Sequence, residues 1–179
     1  MKNIIVFLLF TLCGLSTAFA QTPYESREGH ILISGKYEGI PVLVESHQLF
    51  LFLDYTTKEF KGNLDLSTLD TGIDSLNSIL ASLKPAKVYF SGFIPNDDFI
   101  DWEHLELEFN IPLTVLLLGE SLYPSLNIKL NHSSDSRNYA CFLSGVMDLD
   151  ISEFDNKIED LGDTIEVKFT QVLMRRDRN

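Results

Sequence analysis

Histidine is the side chain that most readily binds metal ions or exchanges protons near neutral pH, and this sequence contains four. His30, His47, His104 and His132 are spread along the chain. No pair has the helical i, i+4 spacing or the tight finger-like spacing of a zinc site. The sequence therefore predicts no metal site, and we interpret each histidine as a surface or strand-lining residue.

Acidic residues form two dense clusters, and carboxylate oxygens are the ligands that calcium prefers. Neither cluster follows the loop pattern of a calcium site, and such clusters arise easily in a chain with 26 Asp and Glu against 14 Lys and Arg. We interpret both as solvated surface charge, with calcium binding as the alternative. The first comprises Asp97, Asp98, Asp101, Glu103 and Glu106, and the second comprises Asp148, Asp150, Glu153 and Asp155.

Cys141 is the cysteine that could act as a nucleophile, since Cys13 lies in the N-terminal segment discussed below. Apolar neighbours surround it in Tyr139-Ala140-Cys141-Phe142-Leu143, so we interpret it as a buried, inert residue.

The sequence contains no Ser-His-Asp order, phosphate-binding glycine loop or paired-carboxylate motif. It predicts a protein that is not an enzyme and needs no cofactor. Carboxylates that meet only in the fold are the alternative.

The first twenty residues have the organisation of a secretory signal peptide. A weakly positive start with Lys2 precedes an apolar run from Ile4 to Cys13, and Ala18-Phe19-Ala20 supplies small residues at a cleavage site. The run is too short to span a bilayer comfortably, which disfavours a retained anchor. We predict a signal peptide at residues 1–20 and a secreted or periplasmic protein, with no transmembrane segment after cleavage.

The composition is typical of a globular domain, with 45% hydrophobic and 22% charged residues. The net charge of −12 at pH 7 opposes nucleic-acid binding, which requires a basic patch, and docking onto anionic lipid. No repeat or linker divides the chain. Residues 24–176 are therefore predicted to form a single domain.

Apolar and polar residues alternate along much of the chain, which is the pattern of half-buried β-strands. Between Leu105 and Leu117 the odd-numbered residues are all apolar. Similar alternation marks residues 60–68 and 165–173, and it places Leu173 on the same inward face as Val167. Shorter strands are predicted at 30–37, 42–54, 87–93, 122–131 and 139–151, which gives about eight strands in all.

One segment has helical periodicity instead. Apolar residues recur at helical spacing from Leu76 to Leu83, Asp74 or Ser75 is suited to cap the start, and Pro85 follows the end. We predict a helix of about ten residues that lies across the sheet or over one end of a barrel. A second, weaker helical turn is predicted over 97–104.

A long sheet with one apolar face must bury that face and protect its edges. Closure into an antiparallel barrel of about eight strands does both, and such a barrel is either packed solid or able to hold one ligand. Two packed sheets are the alternative, which alternation does not exclude. A cavity among the inward residues would suit a lipid-like chain. The residues predicted to line it are Phe50, Phe52, Leu64, Leu66, Leu76, Leu80, Phe90, Leu107, Phe109, Ile111, Val167 and Phe169.

Residues 60–80 resemble a segment of the YceI-like family, a set of secreted bacterial lipocalin-like barrels associated with polyisoprenoid lipids. Its members carry a strand that ends in a Ser-x-x-Thr-Gly-like signature, then a short helix, then a Pro and a Phe-x-Ser strand. Here Ser67-Thr68-Leu69-Asp70-Thr71-Gly72 corresponds to the signature, Leu76 to Leu83 to the helix, and Pro85 with Phe90-Ser91 to the last part.

The resemblance implies an all-β, antiparallel lipocalin-like barrel with one short helix, and the C-terminal strand, which ends near Val172-Leu173-Met174-Arg175, is similar as well. The family's helix usually carries an Arg-Asp pair and then a His. At the matching positions this chain has Leu76, Asn77 and Ile79. The resemblance therefore implies the fold more directly than the ligand.

These observations favour a secreted protein that carries or sequesters an apolar, chain-like ligand, a lipid or isoprenoid, inside the barrel. Burial would drive binding, at about 0.8 kcal/mol for each methylene group. The alternative is a structural or interaction module with a filled core and no small ligand. An enzyme, such as a hydrolase of an exported substrate, is the third hypothesis. The sequence identifies no protein partner.

Overall fold

The computed structural model describes residues 23–95, 106–132, 139–155 and 157–176. Nine strands and one helix account for most of these residues. The elements are β1 (Tyr24–Tyr37), β2 (Ile40–Leu53), β3 (Glu59–Asp65), a 3₁₀ turn (Leu66–Thr68), α1 (Asp74–Ser82), β4 (Lys87–Phe93), β5 (Leu107–Leu117), β6 (Glu120–Leu122), β7 (Ser125–His132), β8 (Tyr139–Asp150) and β9 (Thr164–Arg176).

The strands form one closed antiparallel barrel. Strands that are consecutive in the chain are paired, except that β7 pairs with β5 beside the short β6, and β9 returns to pair with β1. Eight long strands therefore close the ring, and each has a partner on both sides. The predicted all-β barrel of about eight strands with one short helix is confirmed, and two separate packed sheets are excluded.

The alternation of side chains along β5 decides which residues enter the core. Ile111, Leu113 and Val115 are almost completely buried, whereas Pro112 and Thr114 between them are exposed. This orientation agrees with the prediction from the sequence, because strict alternation fixes the inward face of a strand once one side is buried.

The end of β2 has the opposite orientation from the predicted one. The alternate leucines from Leu49 to Leu53 are fully buried, so Phe50 and Phe52 point outward, and Lys61 Nζ lies 4.3 Å from the Phe52 ring centroid. The prediction that Phe50 and Phe52 face the interior is wrong. Every residue from 49 to 53 is apolar, so the sequence alone gives no inward face there. The register with β1, where Gly29 pairs with Leu49 beside a bulge, sets it.

A β-bulge reverses the alternation near the end of β9. Thr170 and Gln171 of β9 lie opposite the single residue Ser144 of β8. The N–H of Gln171, whose φ is 50°, donates to Ser144 Oγ at 2.9 Å. The extra residue shifts the inward face by one position, so Val172 is buried instead of Leu173. The prediction that Leu173 points inward is wrong for this reason.

Helix α1 begins without the predicted side-chain cap. Ile73 occupies the N-cap position, so the capping role predicted for Asp74 or Ser75 is wrong. A side chain of the helix stabilises the loop that precedes it. Asn77 Oδ1 accepts hydrogen bonds from the Thr71 N–H at 3.0 Å and from the Thr71 hydroxyl at 2.7 Å. The second helical turn, predicted over 97–104, lies outside the described residues.

No helix in the described part of the chain has the length and apolar character needed to cross a membrane.

Candidate functional site

The interior of the barrel is filled at one end and hollow at the other. The hollow end contains a cavity of about 140 Å³. The other end is filled by side chains that do not line the cavity. Its fully buried side chains are Leu49, Leu51, Leu53, Phe60, Ile111, Leu126, Ile128, Leu130, Leu143 and Met174.

The cavity is walled by strand ends and covered by two connecting segments. Helix α1 covers one side and turns Leu76 and Leu80 inward, because these two residues lie four positions apart on one helical face. The loop between β8 and β9 covers the other side and contributes Phe154, Ile158 and Leu161. The wall is therefore almost entirely hydrocarbon.

Half of the predicted ligand-binding residues line this cavity. They are Leu64, Leu66, Leu76, Leu80, Phe90 and Val167. Ile111 and Phe169 are buried but lie outside the cavity wall, and Leu107 and Phe109 pack, partly exposed, against the core. Phe50 and Phe52 lie on the outer surface. Whether any of these residues contacts a ligand stays a prediction.

The size of the cavity limits what enters without rearrangement. An apolar cavity of about 150 Å³ engineered into another protein stays dry and binds benzene. The space here is close to that size and similarly apolar. It therefore accommodates about five or six carbon atoms, which is the end of a chain and not a whole long-chain lipid.

Phe90 lies at the boundary between the hollow end and the filled end. Its ring centroid is 6.0 Å from that of Phe60, which is fully buried. Gly62 makes room for this ring: a Cβ atom there would lie 2.3 Å from Phe90 Cζ and 2.3 Å from the carbonyl oxygen of Phe50. Glycine at position 62 is therefore required for the Phe90 ring to occupy its place in the cavity wall.

Two polar side chains reach the cavity wall. Thr71 is satisfied within the protein, because its hydroxyl oxygen lies 2.7 Å from Asn77 Oδ1 and accepts from the Ile73 N–H at 3.0 Å. Lys157 forms an ion pair with Asp163, and 24% of its side chain is exposed. Lys157 is the one titratable residue in the described lining. The sequence gives no signal for this position, because residues 151–163 show no periodicity that would predict which side chains turn inward.

A small polar cluster lies in the filled half. The Tyr55 hydroxyl is 3.2 Å from His132 Nε2, and Cys141 is fully buried, as predicted. Burial raises the pKa of Cys141 to about 12, although its hydrogen bond with Tyr55 opposes this shift. Burial also raises the pKa of Tyr55. Both groups are therefore protonated at neutral pH, which leaves no thiolate nucleophile here.

The structure describes one of the five residues in the first acidic cluster and all four in the second. Residues 97–103 of the first cluster lie outside the described residues, and Glu106 is 4.0 Å from Lys129 Nζ. In the second cluster, Asp150 accepts a hydrogen bond from the Ser152 N–H at 3.0 Å, and hydrogen bonding to Ser152 lowers its pKa. No three carboxylates of this cluster come close enough to share an ion.

The comparisons with known proteins support the fold. No protein-family model matches the sequence, and no curated protein matches it. Among solved structures, the chain is similar to a polyisoprenoid binding domain from Saccharophagus degradans implicated in plant cell wall breakdown. The TM-score is 0.66 at 11% identity, over 88% of this chain and 99% of that one. This similarity confirms the lipocalin-like barrel that the YceI-like resemblance implied.

Proposed function

We propose that this protein binds an apolar, chain-like lipid in the hollow end of its barrel and carries or sequesters it outside the cytoplasm. The observation that carries the proposal is a cavity of about 140 Å³ walled almost wholly by hydrocarbon. The similar structure from Saccharophagus degradans, described as a polyisoprenoid binding domain, supports the same ligand class. A module with a wholly filled core is disfavoured because Phe, Leu and Ile side chains fill only one half of the interior.

Binding would follow from removal of hydrocarbon from water. Burial of five carbon atoms, the size of one isoprene unit, contributes about 4 kcal/mol before ordering costs are counted. A longer chain would extend past α1 and the β8–β9 loop, which cover the cavity. Among the described residues, the lining offers no general acid or base apart from Lys157, so we propose binding without chemical conversion.

Lys157 is placed to contact the polar end of such a lipid. It lines the cavity, is partly exposed, and pairs with Asp163. An anionic headgroup at this rim would compete with Asp163 for the ammonium group. We therefore propose that lipids with a phosphate or carboxylate headgroup are preferred over neutral lipids of equal chain length.

Replacement of Lys157 by methionine tests this preference. Lys157→Met is expected to weaken binding of farnesyl phosphate about fivefold, because it removes a partly screened ion pair worth about 1 kcal/mol. Binding of farnesol should stay the same, since methionine keeps the apolar stem. Asp163→Asn should strengthen farnesyl phosphate binding. Fluorescence competition measures all three, and an equal loss for both ligands would show that Lys157 acts only by packing.

Lipid extraction tests the proposed function directly. Protein purified without detergent should carry lipid at about one molecule per chain, detected by native mass spectrometry and identified after extraction into organic solvent. Lipid-free protein should take up farnesyl phosphate and unfold at a higher temperature, because a ligand that binds only the folded state stabilises it. No copurified lipid, no uptake and an unchanged unfolding temperature together would favour the filled-core module instead.

Export is a separate part of the proposal. Residues 1–20 lie outside the described residues, and β1 begins at Tyr24, so cleavage after Ala20 would leave every described element intact. The intact mass of the protein recovered from the periplasm of an expressing bacterium tests this. A mass that corresponds to a chain starting at Gln21 is expected, and an uncleaved chain in the cytoplasm would contradict export.

A further inference from the structure

We propose that the outer face of the barrel carries a binding site for a transition-metal ion of the Zn²⁺ or Cu²⁺ type, formed by His30, Glu45 and His47. Their donor atoms all lie within 4.8 Å of one another. The His30 and His47 ring centroids are 4.5 Å apart, and His30 Nε2 is 3.4 Å from Glu45 Oε2. Such a group offers two imidazoles and one carboxylate to a single ion.

The pairing of β1 with β2 brings the three side chains together. Glu45 and His47 are two residues apart on β2 and therefore share its outer face. A bulge sets His30 of β1 opposite both His47 and Gln48, because the flanking pairs are Gly29 with Leu49 and residue 31 with residue 46. The irregular register turns His30 toward two residues on the partner strand.

Hydrogen bonds fix the backbone that carries these side chains. The Ser46 hydroxyl accepts from the Gln48 N–H at 3.1 Å and lies 2.8 Å from the Thr68 hydroxyl on the inner side. The Glu45 N–H donates to the Asp70 carbonyl at 3.0 Å, and the Asp70 N–H donates back at 2.8 Å. The three side chains therefore project from strands and not from a loop, and the backbone of β2 there is fixed by hydrogen bonds on both the β1 side and the 3₁₀-turn side.

The donor set selects the class of ion. Two histidines and one glutamate are a ligand set of catalytic zinc sites, which keep a further position for water or an outside ligand. Imidazole also suits Cu²⁺, which nitrogen and oxygen sites bind more tightly than Zn²⁺, whereas Ca²⁺ and Mg²⁺ require oxygen ligands. The imidazole planes are 14° apart and stacked, so binding turns the rings until both lone pairs meet one ion. His47 is exposed and His30 half-buried, which leaves room for this rotation.

The site is separate from the lipid cavity. Val44, the neighbour of Glu45, lines the cavity from the inner face of β2, while the three donors lie on the outer face. Metal binding can therefore be tested without any lipid, and its failure would leave the proposed lipid binding untouched.

Metal titration of protein prepared without a polyhistidine tag tests the proposal. Calorimetry with ZnCl₂ is expected to give one ion per chain, and Ca²⁺ should give no heat at the same concentration. His30→Gln, His47→Gln and Glu45→Gln should each weaken Zn²⁺ binding at least about tenfold. Glu28→Gln, which removes an exposed carboxylate from β1 outside the group, is the matched control and should bind as the original protein does.

Copper provides a readout that a general loss of charge would not change. Electron paramagnetic resonance of the Cu²⁺-loaded protein should show splitting from two nitrogen ligands, reduced to one in either histidine variant. Circular dichroism without metal should be the same for all variants, since the three side chains are not part of the core. The proposal is overturned if the protein binds neither ion, or if the His30→Gln/His47→Gln double variant retains the original affinity.

Discussion

Filling the hollow end of the barrel is expected to abolish lipid binding and leave the fold intact. Val44 and Val167 both lie opposite Ile33 in the sheet, and all three line the cavity. Val44→Phe and, independently, Val167→Phe each place a phenyl ring in a space that holds about one benzene ring. Exclusion of four or five carbon atoms removes about 3 to 4 kcal/mol of binding free energy, so the lipid dissociation constant should rise at least about a hundredfold.

Two independent variants keep this prediction decisive even where one of them overfills its surroundings and fails to fold. Thermal unfolding of each lipid-free variant should occur at or above the original temperature, since the ring fills empty space and adds packing contacts. Val146→Phe makes the same change on the outer face of β8, where Val146 is exposed, and should leave binding unchanged. If both cavity variants stay folded and still bind farnesyl phosphate normally, the ligand lies elsewhere.

Addition of one methyl group at Gly62 is expected to destabilise the protein by about 3 kcal/mol, at the upper end for overpacking. The new Cβ atom would lie 2.3 Å from the Phe50 carbonyl oxygen, which belongs to a paired strand and cannot move away cheaply, and 2.3 Å from the Phe90 ring. For a chain of this size, such a loss lowers the unfolding temperature of Gly62→Ala by about 6 to 12 °C.

Gly35→Ala is the matched control. Gly35 also lines the cavity, but a Cβ atom there would meet its nearest neighbours at 3.8 and 4.0 Å, which is ordinary contact. Its unfolding temperature should therefore stay close to that of the original protein. Similar unfolding temperatures for Gly62→Ala and Gly35→Ala, measured by calorimetry, would contradict the close packing inferred at Gly62.

The half-filled barrel bears on both leading hypotheses from the sequence. Large inward side chains do fill the end around Phe60 and Met174, as a solid module would require. They leave the other end open, as a carrier requires. The filled half supplies the stability of a domain with no internal disulfide in its described part, since Cys141 is free there. The hollow half can then stay apolar and unfilled without loss of the fold.

The sequence by itself determined the strands, the helix and most inward faces. Strict alternation along β5 identified Ile111, Leu113 and Val115 as buried, because residues two apart on a strand share a face. Helical spacing predicted α1, and the apolar residue types on the inward faces predicted an apolar interior. Five cavity residues, among them Leu64, Leu76 and Val167, follow from this local periodicity alone.

The tertiary structure alone decided what depends on pairing between distant segments. Registers and bulges set the inward faces of Leu51 and Val172, because an unbroken apolar run or an extra residue removes the local signal. The same kind of register brings His30 beside His47, a pairing that no spacing in the sequence shows. Side chains from every strand share the interior of the barrel. Whether they fill a given level of it depends on their combined volume there, which only the assembled barrel determines.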